Sequence, residues 1–269
     1  MQQQLDGGLR RGMIREKAEE RRNPVLFDAH LHFSEIPAED RDLPGVALSS
    51  LHGADDPLLI SHPPHILLSY GIHPLCLDGP NCQIKTIEDL ASEGLLAAIG
   101  ECGFDFYQKD SREESERQAL FFEAQVDIAF RWRLPLVLHI RRAMAEVFAR
   151  ATVLKRLPAV IFHCYPGTAG EAKALLSRGI NAFFSFGTPL LKGFPGSVRT
   201  AKEIPLERIL FETDAPFQPP RGRERTLPAD IVAVYEKAAK ILEIDRDVLE
   251  EVVWNTVRKV FPSLQAESF

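Results

Sequence analysis

Six side chains of this sequence have the types that hold a divalent cation: His30, His32, Glu101, His139, His163 and Asp214. Two of them sit in FDAHLHF (27–33). Alternate residues of an extended strand project from one side, so Asp28, His30 and His32 share a face and both imidazoles reach one ion. Taken singly, each candidate has an ordinary reading: a His-x-His can be a strand end at the rim, His139 a hydrogen-bonded core histidine, Glu101 the start of a loop, Asp214 a turn cap. Together they differ from a random scatter, because each falls at the C-terminal end of an apolar run. Buried carboxylates and imidazoles without partners are strongly unfavourable, and a cation resolves that cost. Imidazole and carboxylate donors suit Zn²⁺ or Mn²⁺, whereas Mg²⁺ prefers more oxygen. Six donors exceed one tetrahedral site, so two divalent ions (Mg²⁺, Mn²⁺ or Zn²⁺) bridged by Glu101 are expected. Such a pair suits an in-line displacement at phosphorus.

The elements that must position these residues follow from the alternation of apolar runs with charged, helix-like segments. Runs occur at 25–29, 46–51, 65–72, 95–100, 134–140, 158–162, 180–186 and 208–213, several of them near-continuous, as in strands buried on both faces. Helices are expected at 111–131, opened by a capping box at Ser111 and Glu114, and at 168–178, opened by Thr168 and Glu171 and stopped by Gly179. Others are expected at 141–156, 228–243 and 246–260. Eight strands alternating with helices specify a (β/α)₈ TIM barrel, whose sites lie at the C-terminal ends of the strands. The stretch 33–64 is loop-rich, so the second unit is expected to be irregular. An open doubly wound sheet is the rival, but no Gly-rich phosphate loop follows the first strand.

The bulk properties are those of a soluble globular protein, 45% hydrophobic and 26% charged, with a formal net charge of −6 that argues against binding nucleic acid by overall charge. Cys76, Cys82, Cys102 and Cys164 show no CxxC spacing and read as reduced thiols. No apolar stretch is long enough to span a membrane. Residues 1–23 are expected to be a polar extension, disordered or loosely helical and without a secretory apolar segment, and 24–269 a single barrel domain. A cytoplasmic location follows from these readings.

The ordered motifs FDAHLH, AIGECGFDF, LPLVLHIRRA, VIFHCYPG and LFETDAPF resemble the TatD family of metal-dependent deoxyribonucleases, in the amidohydrolase superfamily. YGIHP (70–74) and NTVRKVF (255–261) extend the likeness, which covers about residues 24–262. The resemblance implies that His30, His32 and Asp214 hold one ion, that Glu101 bridges to a second held by His139 and His163, and that His73 lies near the substrate phosphate. It implies Asp214 as general base, with phosphodiester hydrolysis at DNA ends, single-stranded DNA as partner, and no obligate protein partner. Asp28 is a candidate for orienting the ligands.

The chain departs from the family pattern at Ile140, Arg141 and Arg142, at Tyr165 and Pro166, and along RGRERTLP (221–228). None of these removes an expected ligand. Arg141, Arg142, Arg221, Arg223 and Arg225 either ring the mouth and contact phosphates or form a solvated charged surface; Arg141 and Arg221 are the substrate contacts expected here. Tyr107, Phe104 and Phe217 are candidates for stacking a base or for loop packing, and Cys102 and Cys164 for small core residues. The alternative function is a metal-dependent amidohydrolase or esterase acting on a small molecule; a non-catalytic metal-binding scaffold has no need of an open ligand set.

Overall fold

The computed structural model describes residues 25–51, 53–78, 80–107 and 112–265, so the 1–23 extension and Ser111 lie outside the described residues. Eight parallel strands follow one another round the sheet in sequence order: β1 (Leu26–Leu31), β2 (Gly45–Leu51), β3 (Ile66–Tyr70), β4 (Ala98–Asp105), β5 (Leu136–Arg141), β6 (Val160–Phe162), β7 (Ala182–Phe186) and β8 (Ile209–Phe211). The expected TIM barrel is the fold. Each apolar run overlaps one strand, and nearly every strand residue is buried, as a sheet covered by helices requires.

The helices are α1 (Pro80–Ser92), α2 (Arg112–Trp132), α3 (Met144–Ala149), α4 (Ala151–Leu154), α5 (Ala169–Ser177), α6 (Thr188–Leu191), α7 (Pro195–Glu203), α8 (Ile231–Leu242) and α9 (Arg246–Val260). The capping box of α5 is present: Glu171 N donates to Thr168 Oγ1 at 3.2 Å and Thr168 N donates to the Glu171 carboxylate at 2.7 Å. Its stop is Gly179 at φ +83°. The single helix expected over 141–156 is instead two, broken at Arg150 (φ −103°, ψ 12°). The Arg150 guanidinium turns inward to Glu146 and over the Phe104 ring, 4.9 Å from its centroid. The irregular second unit is also found. Short 3₁₀ turns, Phe33–Glu35, Ala38–Asp40 and Pro57–Leu59, are what connects β1 to β2 and β2 to β3 among the described residues. No helix among them is long and apolar enough to cross a membrane.

Two features of the fold bear directly on the mouth of the barrel. The first is the fourth strand, which runs on to Asp105 instead of stopping at 100, so Glu101 lies within β4 rather than beyond it. Gly103, at φ +144°, makes this possible: a Cβ there would strike the carbonyl oxygen of His139 on β5.

The second is the seam where the first and last strands meet. Asp214 N donates to His30 O at 2.9 Å and His32 N to Ala215 O at 2.8 Å. Below them the Asp28 carboxylate accepts from Thr213 N (3.0 Å), Thr213 Oγ1 (2.6 Å) and His30 N (3.2 Å). Burial pushes the Asp28 carboxyl up to about 8 against these three donors. The C-terminal helices hold the same strand from outside: Tyr235 Oη donates to Phe27 O at 3.1 Å, and Phe261 packs on Phe27 with ring centroids 5.6 Å apart.

Replacing Asp28 by Ala strands three buried donors, each costing about 1–3 kcal/mol when only partly re-satisfied. The expected loss for Asp28→Ala is about 2–4 kcal/mol in urea unfolding, with Asp28→Asn milder because its amide oxygen still accepts from Thr213 N. An Ala variant within about 0.5 kcal/mol of wild type would show that the seam does not depend on this carboxylate.

Candidate metal centre

β1 turns His30 and His32 into the mouth while Phe27, Ala29 and Leu31 face the helices. The two Nε2 atoms face each other at 3.2 Å, and Asp214 Oδ1, carried past the end of β8, lies 3.8 Å from the first and 3.5 Å from the second. On the other side, His73 Nε2, just beyond β3, faces His139 Nδ1 of β5 at 3.3 Å. Glu101 stands between the two sides. Its Oε2 is 3.3 Å from His139 Nδ1, 3.7 Å from His163 Nε2 and 3.8 Å from His30 Nε2, and its Oε1 is 3.8 Å from His32 Nε2. All six expected ligands and His73 are therefore brought together. His163 lies nearer His30 than the sequence reading supposed, with ring centroids 3.9 Å apart against 6.1 Å to His139.

These residues fit a divalent cation. Glu101 Oε2 is buried and has no hydrogen-bond partner, a costly condition for a carboxylate oxygen. Two imidazole nitrogens facing each other share at most one proton when neutral, which leaves a lone pair pointing into the gap. The ligand atoms of His30, His32 and Asp214, of His73, Glu101 and His139, and of His30, Glu101 and His163 each fall within 4.8 Å of one another. Nitrogen and carboxylate donors of this kind suit Zn²⁺ or Mn²⁺.

The electrostatics reflect how closely these acids and imidazoles are packed. Burial opposes ionisation of Glu101, but His30, His139, His163 and His32 outweigh it and hold the carboxyl well below its usual range. Burial likewise opposes a charge on His163, yet Glu212, Asp214 and Glu101 push it up to about 10.

Three residues that sequence reasoning passed over orient this set. Asp105 Oδ2 is 3.0 Å from His139 Nε2, which leaves Nδ1 to face Glu101. Glu212 Oε1 accepts from Cys164 N at 2.8 Å and lies 3.1 Å from His163 Nδ1, off the line of a hydrogen bond. Gln218 Nε2 donates to Asp214 Oδ2 at 2.6 Å, leaving Oδ1 toward the histidines. The signal for the two acids was parity: Asp105 is four residues from Glu101 along β4, and Glu212 is two from Asp214. Asp28 acts on the backbone of His30 and Thr213, not on a ligand ring. Arg142, Cys164, Asp214 and Gln218 all have left-handed φ angles (54°, 41°, 59° and 51°), a concentration of backbone strain at the mouth that accompanies functional sites.

Among the other candidates, Arg141 and Arg221 are exposed. Arg223 pairs with Asp230 (2.7 Å) and Arg225 with Asp40 (3.3 Å), so these two cations hold loops together rather than form an open ring. Phe104 is fully buried against Phe122 and cannot stack a base; it belongs to the core because it is an outward residue of β4. Phe217 is 43% exposed, its ring edge-on to His32. Cys102 is buried in the core, and Cys164 Sγ faces Gln218.

A family model described as TatD related DNase matches residues 27–262. The 3'-5' ssDNA/RNA exonuclease TatD of Edwardsiella piscicida is 32% identical over 216 residues, 75% of this chain and 80% of its own length. An uncharacterized metal-dependent hydrolase, YabD of Bacillus subtilis, is 28% identical over 261 residues, 88% of this chain and 99% of its own. Among solved structures, the TatD homolog YJJV of Escherichia coli K12 superposes with a TM-score of 0.77 at 22% identity, covering 88% of this chain and 98% of that one, a likeness of fold.

Two outcomes are expected of the centre. Asp105→Asn and Glu212→Gln should weaken divalent-ion binding roughly 10–100-fold in calorimetric titration, the usual cost of losing an orienting carboxylate. Unchanged affinity in both would remove them from the site. Because His163 is protonated below about 10, loading near neutral pH should expel at least one proton, and affinity should rise with pH toward that value. Titration in buffers of different ionisation enthalpy measures this; loading without proton release would take His163 out of the ligand set.

Proposed function

The chain belongs to the TatD-related DNase family, and from that premise we propose that it is a metal-dependent nuclease that shortens single-stranded DNA from an end with two divalent ions. The observation that carries the reading is Glu101, whose buried Oε2 makes no hydrogen bond and lies among the imidazoles of His139, His163 and His30. In this proposal His30, His32 and Asp214 would hold one ion and Glu101 and His139 the other, with His163, which lies against His30, within reach of Glu101. The relatives named as TatD act on single-stranded DNA and RNA, which supports a nucleic acid as substrate.

Divalent ions held there supply Lewis acidity to the phosphate and lower the pKa of water. The remaining work belongs to the chain. Asp214, which would also help hold an ion, is the group assigned to take the proton of the attacking water, and the Gln218 amide fixes its orientation through Oδ2. His73, lowered by burial to about 4, is neutral at working pH and meets the phosphate as a hydrogen-bonding group rather than a charge. Asp105 and Glu212 keep the histidine lone pairs turned inward while the strand is bound. Arg141, at the end of β5, and Arg221 are both exposed, which supports them as contacts for the backbone of the bound strand.

The test is hydrolysis of end-labelled single-stranded DNA by metal-stripped protein with Mg²⁺, Mn²⁺ or Zn²⁺ added back separately. Shortening from one end that depends on the ion is the expected result, and it also gives polarity and preferred metal. Asp214→Asn and Glu101→Gln should each lower turnover by about 10³-fold or more while retaining the circular dichroism of the wild type. Near wild-type rates in either variant would sink the mechanism. Ion binding without any cleavage of DNA would favour the small-molecule amidohydrolase or esterase.

A further inference from the structure

We propose that Tyr107, Arg141 and Arg142 form a subsite for a second backbone phosphate, next to the one being hydrolysed; the proposal rests on the nuclease reading above. The Arg141 and Arg142 guanidinium carbons lie 4.1 and 4.6 Å from the Tyr107 ring centroid. Consecutive residues of a strand point to opposite faces, so two neighbours meet one ring only if the chain turns between them. It does: Arg142 has φ 54°, immediately past the end of β5, and its Nη1 donates to the Tyr107 carbonyl at 3.3 Å.

The result is two like charges gathered on one exposed aromatic ring. Among the described residues the carboxylate paired with them is Asp105, whose Oδ2 is 3.6 Å from Arg141 Nη1 but also 3.0 Å from His139 Nε2. One oxygen shared with a histidine does not neutralise two guanidiniums, and an anion between them supplies what is missing. Guanidinium forks match the oxygens of a phosphate, which favours phosphate over other anions. A base is a poor occupant, since the cations already lie over the ring. Position points the same way: Arg141 touches Asp105, Asp105 touches His139, and His139 faces Glu101, so two contacts join this cluster to the metal centre. A strand whose scissile phosphate is at Glu101 brings a neighbouring phosphate to the arginines.

The proposal is tested with a dinucleoside monophosphate, which has one phosphate, and a trinucleoside diphosphate, which has a neighbour for whichever bond is cut. Wild type should prefer the longer substrate. Arg142→Ala should lower kcat/KM for it about 10-fold, mostly through KM, while changing the shorter one less than about twofold; Arg142→Lys should restore part of the loss. A binding measurement stands apart from turnover. The salt dependence of single-stranded oligonucleotide binding to metal-free protein should flatten by about 0.7 in slope in Arg142→Ala, the contribution of one phosphate contact. Equal losses on both substrates, or no change in either substrate or in the salt slope, would overturn the subsite. If wild type hydrolyses neither substrate, the nuclease reading fails, and an unchanged salt slope would then dispose of the subsite as well.

Discussion

A carboxylate removed from water must be met by positive charge, and in this protein that carboxylate is Glu101. It sits inside a strand, buried, with one oxygen partnerless and imidazoles on both sides. Much of the surrounding architecture is the means of holding it there. β4 is carried past its apolar run to Asp105, Gly103 lets it press against the backbone of β5, and Ser50 on β2 accepts the Glu101 amide proton at 3.3 Å. Asp105, Glu212 and Gln218 then orient the groups that face it. Removing the carboxylate would leave four strands presenting histidines to one another with no reason to converge.

The net charge of −6 and the proposed anionic substrate are compatible because the relevant positive charge is local. Several arginines of the chain are already engaged: Arg223 and Arg225 close loops through Asp230 and Asp40, and Arg150 pairs with Glu123 and Glu146. Arg141, Arg142 and Arg221 remain at the surface. Arg141 and Arg142, gathered on Tyr107, are the local cations that two contacts join to the histidines of the centre.

The sequence made the ligand set legible because strand parity and strand ends are properties of the chain itself. FDAHLHF places two imidazoles on one side whatever the rest of the fold does, and the apolar runs mark where each strand ends. Asp105 and Glu212 were harder to see, because an orienting carboxylate is defined by a neighbour on another strand: Asp105 by His139 of β5, Glu212 by His163 beyond β6. Gln218 needed the left-handed turn that folds it back on Asp214. Phe104 was misread for a related reason, since its parity on β4 depends on where the strand runs, and the strand runs further than its apolar stretch. α1 was missed because it starts at a proline, and α6 and α7 because proline and glycine interrupt their pattern. The break at Arg150 arises from side chains on other elements and has no local signature.

The seam between the first and last strands has a consequence for how the protein is made. His30 and His32 leave the ribosome early, whereas Asp214, Thr213 and Gln218 follow some 180 residues later. A nascent chain that has not reached residue 214 lacks one of the three residues proposed for the first ion and the backbone contacts that tie β1 to the end of β8. Asp214, Thr213 and the backbone contacts that join β1 to the segment after β8 are therefore synthesised together, ahead of Tyr235 and Phe261, which hold β1 from outside. Completion of the proposed site and closure of the barrel at β1 thus both wait on the same late stretch of chain.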